Sequence, residues 1–259
     1  ALAIDPNLAP AHARLGRVAL LFDGNLPLAA RHYQRALQLA PNNISAIGNA
    51  ATLLQSLGRM DQSVAFDEYV VARDPVNPVG HYNLGAGYLY AGRYEDAIAS
   101  LETALQFSPR RIGGNYLLGK ALLLKGDTGD VLATMEKESL AVLQMLGRVI
   151  GHDAVGDTET ADRILRELIA NHERDAAYNI AYVYARRGLA DAAFEWLQKA
   201  VTYGDPGLAD IAVEPLFEAI HSDPRWLLFL ESVGKAPAHL DSLASAALVP
   251  ANSTRVMLF

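Results

Sequence analysis

The sequence predicts an all-α solenoid of stacked antiparallel helix pairs, and three observations carry that expectation. Pro41, Pro75 and Pro109 stand 34 residues apart, and each follows a glycine, Gly24, Gly58 or Gly92, by 17 residues. Such a glycine permits a tight turn between two helices, and the proline stops the second helix before the next repeat begins. The second observation is residues 81–109, reading HYNLGAGYLYAGRYEDAIASLETALQFSP, which serve as a template for the other repeats. At about 100° per residue, His81, Leu84, Gly85 and Tyr88 of that template share one stripe, the side that packs into a core. The third is composition: 51% of the chain is apolar and 20% charged, enough for a continuous buried core and inconsistent with wholesale disorder.

Taken in order, residues 1–6 read as the tail of a preceding repeat, because Ala1-Leu2 and Pro6 align with Ala36-Leu37 and Pro41. The regular repeats occupy residues 7–131. The first carries Leu15-Gly16, Gly24, Ala29, Tyr33 and Ala36-Leu37, with one extra residue between its two glycines. The second has Ala50-Ala51 in place of the Leu-Gly pair, and Ser63 and Asp67 where small and aromatic residues are preferred. After the template, the fourth keeps Leu118-Gly119, Leu122 and Gly126 but loses its closing proline beyond Met135. Residues 132–203 hold an irregular repeat and a sixth. In the irregular one, Ala161 lies 14 residues past Gly147, against 12 from Gly85 to Ala97, so a loop over 151–157 is expected to absorb the difference. The sixth realigns through Ile180-Ala181, Tyr184, Gly188, Ala193 and Leu197. Residues 204–234, punctuated by Asp205-Pro206, Glu214-Pro215 and Asp223-Pro224, read as a helical cap over the last repeat. Residues 235–259 read as a weakly structured tail, whose closing Val256-Met257-Leu258-Phe259 is apolar enough to dock elsewhere.

The template resembles the tetratricopeptide repeat, with His81 where that family carries tryptophan. The resemblance implies a right-handed superhelix with a concave groove that binds protein or peptide. A narrower likeness covers residues 131–234. Met135-Glu136-Lys137-Glu138, Ala193-Phe194-Glu195-Trp196-Leu197, Glu214-Pro215-Leu216-Phe217 and Ser222-Asp223-Pro224-Arg225-Trp226 are similar to the repeat module that ends many bacterial signalling proteins. In those proteins it accompanies class III adenylate cyclases, winged-helix regulators and serine/threonine kinases. It implies a regulatory segment beside an effector domain.

Roughly 150° from the core stripe, Tyr82, Asn83 and Tyr90 of the template face the groove that the resemblance implies. Two residues before each aligned glycine stand Arg14, Asn49, Asn83, Leu117, Met145 and Asn179, and one after stand Arg17, Thr52, Ala86, Lys120, Arg148 and Tyr182. An asparagine amide donates and accepts at once, so Asn49 and Asn83 suit a peptide backbone. Arg17, Lys120 and Arg148 place positive charge along the groove and point to an acidic partner. Tyr82, Tyr90 and Tyr116 add amphipathic aromatic area. The candidate groove is therefore Arg17, Asn49, Tyr82, Asn83, Tyr90, Tyr116 and Lys120.

Catalytic chemistry finds little footing. The seven histidines form no HExxH pattern, no Gly-x-Ser-x-Gly elbow occurs, and Gly85 with Gly87 follows no strand that would make a phosphate loop. His152-Asp153 is read as a solvated pair in the irregular loop. No metal or other cofactor is expected. A net charge of −7 argues against a generic grip on nucleic acid, and no apolar run reaches the ~20 residues of a membrane helix. The absence of cysteine fits either side of a bacterial membrane, with a slight lean to the cytoplasm. The reading is a non-catalytic binding scaffold. Its alternatives are an array presenting substrate to an upstream catalytic domain and a homo-oligomer built on the cap and tail.

Overall fold

The computed structural model describes residues 5–247, and every helix or turn among them belongs to an all-helical array. The expected remnant at Ala1-Leu2 and the apolar run Val256-Met257-Leu258-Phe259 lie outside the described residues. Five full helix pairs are present among the described residues: α1 Ala9–Leu21 with α2 Leu26–Leu39, α3 Ile44–Ser56 with α4 Met60–Arg73, α5 Pro78–Tyr90 with α6 Tyr94–Phe107, α9 Ala141–Ala154 with α10 Thr158–His172, and α11 Ala177–Arg186 with α12 Ala190–Tyr203. Between the third and fourth of these, α7 Gly114–Lys125 is followed by a 3-10 turn and the short α8 Val131–Met135. Through the first three pairs, each second helix packs on the first helix that follows it.

Local chemistry explains the boundaries. Asn25, Asn43, Asn77 and Asp157 cap helix starts by accepting backbone N–H groups at 2.9–3.3 Å, which satisfies donors that the first turn leaves free. Gly58 and Gly92 turn between paired helices at φ +73° and +75°, a region costly for any residue with a Cβ. Gly85 has a different reason. A Cβ built there would stand 2.6 Å from Leu101 Cγ, so the residue sets how closely α5 and α6 approach.

Three expectations need correction. The fourth repeat lacks a full second helix: without a closing proline register, the chain turns after Gly126, and α8 packs Val131 and Met135 into the core before Glu138 bends it back. Glu138 does so by accepting the N–H groups of Gly113, Ser139 and Leu140 at 2.8–3.2 Å. In the fifth repeat the extra residues lengthen α9 through Ala154 rather than forming a loop from 151, so His152 and Asp153 are helical. Asp153 is not a solvated turn residue, since both its oxygens accept from Arg187 at 2.8 and 2.9 Å. The tail is not weakly structured at its start either. Residues Pro237–Ala247 form α14, which buries Leu240 and Ala244 in the core of the first two repeats.

That last contact closes the architecture. After α12 the chain does not simply cap the last repeat. It runs back through 3-10 segments Pro206–Asp210 and Pro215–Ile220 and through α13 Pro224–Ser232. The first of these touches α1, α3 and α11 together. Ile211, Phe217, Trp226 and Phe229 bury against the late repeats, while Ala212, Leu240 and Ala244 join the core of the first two. Residues 205–247 thus form a return that spans the array from its last repeat to its first.

Candidate functional site

The inward faces of α5, α7 and α11 meet the return around a chamber of about 250 Å³. Tyr90, from the end of α5, and Tyr116 and Lys120, one turn apart on α7, supply one wall. Tyr178, Asn179 and Tyr182 of α11 supply the second, and Asp205, Asp210 and Glu214 of the return close the third. Asp175 stands at the exposed rim.

Lys120 is the centre of this arrangement. Its ammonium donates to Glu214 at 2.7 Å, both side chains being almost wholly buried, and it sits 5.5 Å from the ring centres of both Tyr90 and Tyr182. A buried pair of this kind holds together because neither charge can be left alone in a low-dielectric interior. Glu214 also accepts the Leu216 N–H at 3.2 Å, so the same carboxylate starts the second 3-10 segment and ties the return to α7. Around the pair, the Tyr116 and Tyr182 hydroxyls are hydrogen-bonded, and Asn179 donates to the Tyr182 hydroxyl at 2.6 Å. Asp205 accepts the backbone N–H groups of Tyr178 and Gly207 at 3.0 and 2.9 Å, and Asp210 accepts from the Ser56 hydroxyl at 3.0 Å. The Tyr178 hydroxyl is buried and has no hydrogen-bond partner among the described residues.

The electrostatics are negative. Burial pushes the phenols of Tyr90 and Tyr178 well above their ordinary range, and the carboxylates of Glu214 and Asp210 push them further in the same direction. Asp210 is itself held above the usual carboxylate range by burial, against hydrogen bonds from Ser56 and Gln55 and the charge of Lys235. Burial likewise raises Asp205, opposed by its two backbone hydrogen bonds.

Of the residues expected in a groove, the structure brings Tyr90, Tyr116 and Lys120 together. Tyr82 lies outside the lining, with the Arg111 guanidinium 4.0 Å over its ring. Asn49 and Asn83 are half-buried on α3 and α5, also outside the chamber lining, and Arg17 is exposed on α1. The expected lane of positive charge is not what faces the chamber: the Lys120 charge is met internally by Glu214, and carboxylates line the remainder. Asn179 and Tyr182 occupy the same two places as Leu117 and Lys120 relative to their aligned small residue, so the repeat alignment places them, although the candidate groove left them out. Nothing in the pattern marks Glu214 or Asp210 as groove residues, because they arrive from a segment outside the repeat.

Residues 78–111 and 146–209 each match a model of the tetratricopeptide repeat. The chain contains tetratricopeptide repeats. No curated protein matches it in sequence. A tetratricopeptide repeat protein from Parabacteroides merdae shares the fold with a TM-score of 0.55 at 18% identity, over 92% of this chain and 98% of its own. PilW, a widely conserved type IV pilus biogenesis factor, gives 0.58 at 22% identity over 66% and 80%. PilF of Pseudomonas aeruginosa gives 0.54 at 17% over 83% and 97%. At these identities the likeness establishes the tetratricopeptide solenoid and no more.

Proposed function

We propose that this chain is a non-catalytic scaffold that holds a segment of a partner protein on its concave face, at the mouth of the chamber between α5, α7 and α11. One observation carries the reading. Tyr90, Tyr116, Tyr178 and Tyr182, drawn from three repeats, converge around a shared space with polar groups set among them. Tyr116, Tyr178 and Tyr182 are already buried and shape the walls, while half-buried Tyr90 and Asn179 and exposed Asp175 are the groups that a partner segment meets, an aromatic with a polar tip among them. The balance of charge in the chamber shifts the expected partner away from acidic segments, because Lys120, the one of the three expected groove cations that lines it, already has Glu214.

Photo-crosslinking from a residue at the chamber rim, in the native chain and in Tyr90→Ala and Tyr116→Leu variants, tests the proposal. A partner captured by the native chain and lost from the chamber variants, yet kept when Phe107 on an outer helix is changed, supports it. Capture indifferent to Tyr90 and Tyr116 refutes it. Within this reading, the likeness of residues 131–234 to the module ending bacterial signalling proteins favours a regulatory role beside an effector domain. The gene's full coding sequence decides that point.

A further inference from the structure

At the end of the array where α1 stands, an apolar helix face lies open that the later repeats cover. We infer that this face docks an amphipathic helix of a partner protein, one with an apolar stripe and acidic borders of the kind that α6 carries. The face shares no residue with the chamber, so it is a second interaction surface.

The array itself shows what such a face receives. Helices α3, α5 and α7 each carry the second helix of the repeat before them. Cβ atoms built at Gly80 and Gly87 of α5 would stand 3.3 Å from Val70 and 3.5 Å from Val64 of α4, and one at Gly114 of α7 would stand 2.7 Å from Leu105 of α6. Gly80 and Gly114 align with Ala11, and Gly87 aligns with Val18. Those positions therefore face the preceding second helix. The counterparts of Leu15, which are Ala50, Leu84, Leu118, Leu146 and Ile180, are at most 9% exposed, whereas Leu15 is 41% exposed. The counterparts Leu53, Ala121, Val149 and Val183 are at most 2% exposed, against 44% for Val18. Phe22, just past the helix end, is exposed as well. Ala11, Leu15, Val18 and Phe22 recur at steps of 4, 3 and 4 residues, the spacing of a helix-packing seam, so they form one stripe and not scattered apolar side chains.

Charge and availability select the occupant. Within the chain, α2, α4 and α6 are already seated on the first helices that follow them. Arg14 borders the open stripe, Arg17 lies beyond it, both are exposed, and α1 contains no carboxylate. A second copy laid face to face would bring two arginine-bordered stripes together with no acid to meet them. Residues 1–4 and 248–259 carry no Asp or Glu either. Opposite charges beside an apolar seam set partner choice, and like charges oppose it. At about 100° per residue, Ile98, Leu101 and Leu105 of α6 make one stripe with Glu95 and Glu102 along its border. A helix of that chemistry, supplied by another protein, matches α1 in both its apolar stripe and its charge.

The test uses the full chain and a fluorescein-labelled peptide with the sequence of residues 93–109, its side chains at 99 and 103 linked on the far face so that it stays helical. Fluorescence anisotropy follows the titration. Saturable binding is expected, weakened roughly tenfold by Leu15→Ser combined with Val18→Ser. Arg14→Gln in the chain, or Glu95→Gln with Glu102→Gln in the peptide, weakens it several-fold. Helical content and melting temperature stay unchanged in the chain variants, because these side chains are already exposed. Tyr90→Ala in the chamber leaves the peptide's affinity as it was, which keeps the two surfaces distinguishable. Equal binding of a scrambled peptide, affinity unmoved by the Leu15 and Val18 changes, or no saturable binding overturns the inference. Self-association of the free chain in sedimentation equilibrium that vanishes with Leu15→Ser and Val18→Ser overturns it in favour of a second copy. Protection of α1 by the gene's full product, with no partner added, overturns it in favour of the same polypeptide.

Discussion

Asp67 offers the sharpest test of how the array is held together. It stands nine residues after its turn glycine, the position taken by Tyr33, Leu101, Leu165 and Leu197 in other repeats. Only 3% exposed in α4, it carries one oxygen with no hydrogen-bond partner among the described residues. Burial alone pushes its carboxyl from 3.8 up to about 8. The acid is therefore protonated in the folded chain at neutral pH and ionised in the unfolded one. The unfolded state binds fewer protons between pH 4 and 8, so stability falls as pH rises through that window. Each pH unit inside it is worth at most about 1.4 kcal/mol, hence up to about 2.7 kcal/mol between pH 5 and pH 7. Asp67→Asn keeps the shape and removes the titration. Urea unfolding of both proteins at pH 5, 6, 7 and 8, followed by circular dichroism, should show the native chain losing stability relative to the variant as pH rises. Parallel curves across the four pH values would refute the assignment of a buried, uncompensated carboxyl.

Other outcomes follow from the packing. Gly85→Ala drives a methyl into Leu101 and costs about 1–3 kcal/mol of unfolding free energy, measurable by the same denaturant titration. Lys120→Met strands Glu214 and costs about 3–5 kcal/mol, whereas Lys120→Met with Glu214→Gln recovers most of that loss because the Gln oxygen still accepts the Leu216 N–H. Leu240→Asp removes the buried anchor of α14, so hydrogen exchange should speed up across residues 237–247 and leave α11 and α12 protected. Equal loss of protection in α12 would show that α14 is no separate unit.

The repeat helices were legible because their signals are local and periodic. A glycine with positive φ, a proline and a Leu-Gly pair each act within a few residues, so the spacing of Gly92 and Gly85 is enough to announce a turn and a close contact. The fourth repeat departed where that periodicity stopped, and the length of α9 depended on tertiary contacts such as Asp153 with Arg187. Only part of the candidate site was legible for the same reason. Tyr90, Tyr116 and Lys120 lie at groove positions in register with the repeats, but the side chains that neutralise and surround them come from residues 205–214. No spacing rule relates Lys120 to Glu214, 94 residues away, and so the sign of the groove's charge could not be read from the repeats alone.

An ordinary solenoid is a coil spring: each turn touches only its neighbours, so it stretches, and it folds, one turn at a time. Here a cord runs along the axis and is knotted to the early turns, by Asp210 to Ser56 across 154 residues and by Asp241 to Arg59 at 3.0 Å. Extending the coil would have to break the cord first, which makes this spring stiff along its length. Closing so long a loop also comes late and slowly as a chain folds. Until residues 237–247 have been made, the first two repeats hold a core of their own that lacks only the contribution of Leu240 and Ala244.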